Sequence, residues 1–183
     1  MPTVVAVTGH RRLAEPERAA AGVAEALDRL AGWRLGQPLE VLSGLAEGAD
    51  RMAEEVALGR PDPRLVAVLP MPLAEYRRDF PSARSRADLD SLLARAAAWV
   101  ELPAGPRPQV YEALGEELLR RADVLLAVWD GGPPGGPGGT AAVVARARTL
   151  GKPLAWVVAA QGRSPSARSP PAGDQPSVRY ERL

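Results

Sequence analysis

The sequence predicts a Rossmann-like α/β sandwich, a mostly parallel sheet with helices on both faces. Three observations lead there. Short apolar, β-branched runs alternate with segments of helical periodicity along most of the chain. Strands separated by helices imply parallel pairing with right-handed crossovers. The run Val124–Trp129 is apolar without a break, as in a strand buried on both faces.

The elements follow in order. Thr3–Thr8 is a β-branched strand that stops at Gly9. The segment 14–30 carries Ala19, Val23, Leu27 and Leu30 on one helical face, and Pro16 suits its first turn. Leu39–Leu42 is a second strand, stopped at Ser43-Gly44. Residues 46–58 return to helix, with Gly59 as the stop and Pro61 beyond it. Leu65–Leu69 is a third strand, ended by Pro70. The helix over 85–98 places Leu89, Leu92, Leu93 and Ala96 on one side, and a short strand is expected at Trp99–Leu102. A helix at Val110–Arg121 leads into the strand Val124–Trp129, and a helix from Thr140 to Leu150 into the strand Leu154–Val158. One domain over residues 1–160 is expected. The remainder, Gln161–Leu183, is rich in Ser, Pro, Gly and Arg without periodicity, and its composition predicts a mobile tail.

Composition narrows the function classes. The 183 residues are 46% hydrophobic and 25% charged with a formal net charge of +1, ordinary for a globular domain. Near-neutral charge gives no electrostatic case for a nucleic-acid binder. No apolar stretch is long enough to span a bilayer. Met1-Pro2-Thr3-Val4-Val5 runs into a strand without a basic n-region or cleavage site, so a cytoplasmic protein is expected. With no cysteine and one histidine, His10, neither a thiolate nucleophile nor a metal site is expected, and no cofactor is called for.

Four strand ends carry loops suited to chemistry, and this architecture gathers such ends along one edge of the sheet. The first is Thr8-Gly9-His10-Arg11, where glycine permits close approach and His10 and Arg11 can donate to phosphate or ribose oxygens. A β–α turn with solvated arginines is the plainer reading. The second is Ser43-Gly44-Leu45-Ala46-Glu47-Gly48-Ala49-Asp50. Its glycines around a helix start would leave amides free for an anion, with Glu47 and Asp50 accepting from sugar hydroxyls. Alternatively Ser43 caps the helix and the two acids complement its dipole. The third, Pro70-Met71-Pro72 followed by Tyr76-Arg77-Arg78-Asp79-Phe80, re-aims the chain, with its arginines toward solvent rather than a phosphate. The fourth runs from Asp130 and Gly131 through Gly138-Gly139-Thr140, between the most apolar strand and a helix. It offers backbone amides and a hydroxyl at a helix N-terminus. It lacks the Lys-Ser/Thr of a Walker A loop, which argues against nucleoside triphosphate hydrolysis.

Taken together, these loops resemble the SLOG superfamily, which joins the DNA-processing protein DprA/Smf with the LOG (lysine-decarboxylase-like) phosphoribohydrolases. The likeness covers roughly Val4–Val158. Ser43–Asp50 looks like the DprA segment S-G-L-A-x-G-I-D, and Gly136-Pro137-Gly138-Gly139-Thr140 looks like the LOG loop P-G-G-x-G-T with altered spacing. As a set the motifs are most similar to stand-alone or sensor-type bacterial SLOG domains, which implies binding of a nucleotide or an NAD-derived signal. The resemblance also implies a homodimer or larger homo-oligomer.

The LOG enzymes hydrolyse the N-glycosidic bond of nucleoside 5′-monophosphates, using an arginine on the helix before the buried strand and a glutamate just after the glycine loop. Here those positions fall near Leu114 and on Ala141-Ala142-Val143-Val144. The expectation is therefore a domain that holds or senses a nucleotide without the usual catalytic residues. A divergent phosphoribohydrolase that uses Glu47, Asp50 or a helix glutamate (Glu112, Glu116 or Glu117) is the alternative. DprA-like binding of single-stranded DNA is the second alternative.

Overall fold

The computed structural model describes residues 1–33, 37–162 and 177–183. Its seven strands are β1 (Thr3–Gly9), β2 (Leu39–Ser43), β3 (Arg64–Leu69), β4 (Ala98–Glu101), β5 (Val124–Trp129), β6 (Leu154–Val158) and β7 (Val178–Glu181). They form one sheet in the order β4-β3-β2-β1-β5-β6-β7. Every pairing is parallel except β6 with β7. The helices are α1 (Pro16–Trp33), α2 (Ala49–Leu58), α3 (Leu73–Tyr76), α4 (Ala83–Arg95), α5 (Arg107–Arg121) and α6 (Thr140–Thr149). A single 3₁₀ turn, Arg77–Asp79, follows α3.

The strand pleat divides the core. Val5, Val7, Leu126 and Val128 face α1 and α2, whereas Ala6, Leu125, Ala127 and Trp129 face α5 and α6. On β3, Leu65, Ala67 and Leu69 pack against α4, and Val66 and Val68 turn to α5. The expected α/β sandwich with helices on both faces is thus what the chain builds. Among the described residues no helix is long and apolar enough to cross a membrane.

Several boundaries differ from the sequence expectation for local reasons. The first helix begins at Pro16 rather than Ala14, because Leu13 and Ala14 are tied to the end of β6: Leu13 bridges Gln161, and the Ala14 N–H donates to the Ala160 carbonyl at 3.0 Å. The second begins at Ala49 rather than Ala46, because Gly48 adopts φ 84° and ψ −121°, outside helical space. Ser43 is therefore no N-cap. It closes β2 and accepts the Leu45 N–H at 3.0 Å. Helix α4 starts at Ala83, where Ser82 caps it by accepting the Ser85 N–H at 3.0 Å.

The tail also differs. Gln161 and Val178–Glu181 are built into the domain, the latter as the antiparallel edge strand β7. Arg148 on α6 grips Glu181 with two nitrogens, at 2.6 and 3.1 Å. The rest of the expected mobile tail, 163–176, lies outside the described residues.

Candidate functional site

Chain order reverses between β1 and β5. From β1 the sheet grows through β2, β3 and β4 on one side and through β5, β6 and β7 on the other. The loops leaving the carboxyl ends of β1 and β5 therefore part company, and a crevice opens between them. Gly9 at the end of β1 lies in register with Val128 of β5, which fixes both loops against each other.

A cavity of about 420 Å³ occupies that crevice. Thr8, Gly9, His10 and Arg11 line it from the first loop, Ala46 and Asp50 from the second, and Gly138, Gly139 and Thr140 from the glycine loop. Tyr111, Leu114 and Leu118 of α5, Val143 of α6 and Gln161 complete the wall. The first turn of α6 supplies donors: the amides of Thr140 and Ala141 find no acceptor among the described residues. Gly139 sits at the N-cap with no side-chain cap.

Other glycines serve the chain itself. A Cβ at Gly48 would overlap the Arg11 carbonyl, and one at Gly9 would overlap the Ala49 side chain. The two loops are thus pressed together backbone to backbone, and the Ala49 N–H donates to the His10 carbonyl at 3.0 Å. Several of the expected free amides of the Ser43–Asp50 loop are in use. Leu45 N–H goes to Ser43 Oγ, Ala46 N–H to Asp50 Oδ2 and Ala49 N–H to His10. Three of the donor amides expected of this loop are thereby taken up within the chain.

Of the expected site residues, six stand off the cavity wall. Ser43 is fully buried, and Gly44 is packed on Leu114 with its carbonyl accepting the Tyr76 hydroxyl at 2.9 Å. Glu47 turns the other way, to accept from Ser85 Oγ, so it holds no place at the cavity. Gly48 is taken up by the first loop. Asp130 caps its own loop through the Gly132 N–H at 2.9 Å, and Gly131 leans on Trp156. Asp130 still touches the site through His10, whose Nε2 lies 3.2 Å from the Asp130 amide nitrogen and 3.2 Å from its carboxylate. Burial is the largest single influence on the Asp130 carboxyl and pushes it up, but the Gly132 N–H and His10 together outweigh it and hold the group below its ordinary value.

Asp50 is the only carboxyl on the described wall. It is 7% exposed, and burial pushes it up to about 7 against the Ala46 N–H, Arg11, Ser43 and Arg51, which favour its ionised form.

Tyr111 is a polar side chain of the cavity wall that sequence reasoning missed. Its hydroxyl donates to Asp79 at 2.5 Å and accepts from Arg11 Nη2 at 3.0 Å, and the Arg11 guanidinium also stands 5.4 Å from the ring centroid. Burial and the Asp79 bond push the phenol up to about 12, so it remains a neutral donor. Arg107 anchors the far side of Asp79 at 3.1 Å and binds Glu75 at 2.6 Å. The Tyr76–Phe80 segment is thus a support as well as a turn: Tyr76 and Phe80 are fully buried, edge to face at 4.9 Å. One signal for Tyr111 was available. It precedes Leu114 and Leu118 by three and seven residues, which puts a polar aromatic on the stripe of α5 that faces the sheet.

The positions that the LOG resemblance assigns to chemistry are apolar in place. Leu114 lines the cavity, and the first turn of α6 after Thr140 presents Val143 to it.

No family model matches the chain, and no curated protein matches it. A solved crystal structure, that of the structural-genomics target TM1055, is similar to it. The identity is 17% and the TM-score 0.50, over 83% of this chain and 72% of that one. That likeness shows the fold alone: a Rossmann-like α/β arrangement.

Proposed function

We propose that the domain binds a nucleotide or an NAD-derived ligand in the cavity between the β1 and β5 loops, and that its role is to hold or sense the ligand rather than to cleave it. The observation that carries this reading is the pairing of donors at one cavity. Arg11, Thr8 and the free amides opening α6 meet there beside Tyr111, at the switch in strand order. A phosphate suits the first set, because a helix N-terminus and a guanidinium both favour an anion. An aromatic ring next to Leu114 and Leu118 suits the flat apolar faces of a base. Nothing on the described wall offers the second carboxylate that a hydrolase of glycosides pairs with its first.

Calorimetric titration and thermal shift against AMP, NAD, ADP-ribose and cyclic nucleotides test the reading. Saturable stabilisation by one of them, lost in Arg11→Ala, is the expected result. Stabilisation by none, at ligand concentrations up to millimolar, overturns it.

A second reading has one observation in its favour. Asp50 retains a proton near neutrality beside the cavity, as a general acid for N-glycosidic cleavage must. Release of free base from AMP, abolished in Asp50→Asn, would establish that activity. Glu47, the other carboxylate suggested by the sequence, faces Ser85 and drops out of it.

A homo-oligomer is part of the same proposal, and light scattering that gives the mass of one chain would remove it.

A further inference from the structure

Two carboxyls on α2 stand one helical turn apart, so Asp50 and Glu54 lie on the same side of the helix. Asp50 reaches the cavity wall, while Glu54 is 0% exposed. Asp50 has the Ala46 N–H at 3.3 Å, but neither oxygen of Glu54 has a hydrogen-bond partner among the described residues. A buried carboxylate without a donor is far costlier than a buried carboxylic acid. Glu54 is therefore held in its acid form: burial pushes its carboxyl well above the ordinary value, and the charges of Asp50 and Glu55 add to it, against the neighbouring Ser43 hydroxyl, which favours the ionised form.

The surroundings of Asp50 are mixed. Arg11 faces it from the first loop, Ser43 from β2 and Arg51 from α2 itself, and all three favour the carboxylate. Tyr76 faces it from α3 as a neutral phenol that burial holds well above its usual value. Burial outweighs the arginines. The consequence concerns the anion. An ionised Asp50 on the wall would repel a phosphate, whereas a protonated one can donate its O–H to a phosphate oxygen. A phosphate paired with Arg11 would also cancel the charge that draws the proton off Asp50.

We propose that the cavity takes its anion together with a proton on Asp50, which then serves as a hydrogen-bond donor to the bound phosphate, with the neutral Glu54 behind it keeping a second negative charge out of the site. The inference rests on the nucleotide reading and adds how that site selects its ligand. Ligand and proton then strengthen each other's binding by the same factor. The proton comes from solvent where Asp50 is ionised in the free protein and returns to solvent when the ligand leaves.

ADP-ribose is the probe, because its pyrophosphate, unlike a phosphate monoester, has no proton to lose near neutrality. Calorimetry in buffers of different ionisation enthalpy reads affinity and proton uptake together. Affinity should fall about 25-fold between about pH 6.5 and about pH 8.5, with proton uptake approaching one per ligand at the upper end. Asp50→Asn should abolish both the uptake and most of the pH dependence, while His10→Gln retains them. An Asp50→Asn profile that matches the wild type overturns the proposal. Carboxyl carbon-13 NMR of the free protein gives an independent reading. Asp50 titrating in the ordinary aspartate range sinks the proton claim even where ADP-ribose binds. Inorganic phosphate separates the two levels. Proton-linked binding of phosphate, without binding of ADP-ribose, AMP or NAD, refutes the nucleotide and leaves the anion site. Binding of no probe at any pH refutes both.

Discussion

The two glycine-rich strand-to-helix connections look alike in sequence and do opposite things. Ser43–Asp50 is folded inward. Three of its amides, those of Leu45, Ala46 and Ala49, donate to Ser43, Asp50 and His10, and Gly48 lets the Arg11 backbone come close. The loop from Asp130 to Thr140 is open. Gly135 and Gly136 have nothing within 4 Å of a Cβ position, and the Thr140 and Ala141 amides at its end find no acceptor among the described residues. Even there one glycine is structural: a Cβ at Gly138 would stand 2.7 Å from the Tyr111 backbone, which seats the end of the loop on α5. The aspartates follow the same division. Asp50 is buried and raised to about 7, whereas Asp130 is partly exposed and lowered. A run of glycine after a strand therefore does not identify a ligand loop.

The comparison can be broken in several ways. The largest effect is expected from the buried aspartate. Asp50 rises from an unfolded value of 3.8 to about 7, so its contribution to stability is fully present at acid pH and is lost as pH rises through that window. The ceiling is about 4 kcal/mol at 1.36 kcal/mol per unit. Asp50→Asn should flatten the fall in unfolding free energy between about pH 4 and about pH 7, as denaturant titration at each pH would read. An unchanged slope would place the charge of Asp50 in solvent.

Next is Gly48→Ala. The positive φ and the overlap with the Arg11 carbonyl should cost about 3 kcal/mol, read from the urea midpoint. A loss below about 1 kcal/mol would show that the folded-in loop has slack. Tyr111→Phe is smaller. It keeps the ring but breaks the link between Arg11 and Asp79, and should weaken nucleotide binding by about tenfold, roughly 1.4 kcal/mol, with little change in melting temperature. An equal loss of stability and affinity would make the link a scaffold only. The smallest is Gly135→Ala, within about 0.5 kcal/mol of wild type, because the site is open. A large loss there would erase the contrast between the loops.

Much of this molecule was legible beforehand. The alternation of runs such as Val124–Trp129 with periodic helices determined the layered parallel sheet, since a strand buried on both faces has no other partner than helices on each side. The same reading placed Thr8–Arg11 and Gly138–Thr140 at one edge, because strand ends in such a sheet share it. Tertiary structure decided the rest. Val178–Glu181 is too short to announce a strand and becomes one only by pairing with β6. Glu47 and Asp50 are three residues apart in one motif, yet one turns to Ser85 and the other to the cavity. Residue type gives the chemistry a side chain can perform. Which amides remain unspent, and which carboxyl is stripped of water, depends on neighbours such as Arg11, Ser43 and Tyr111, and only the fold brings those from distant parts of the chain.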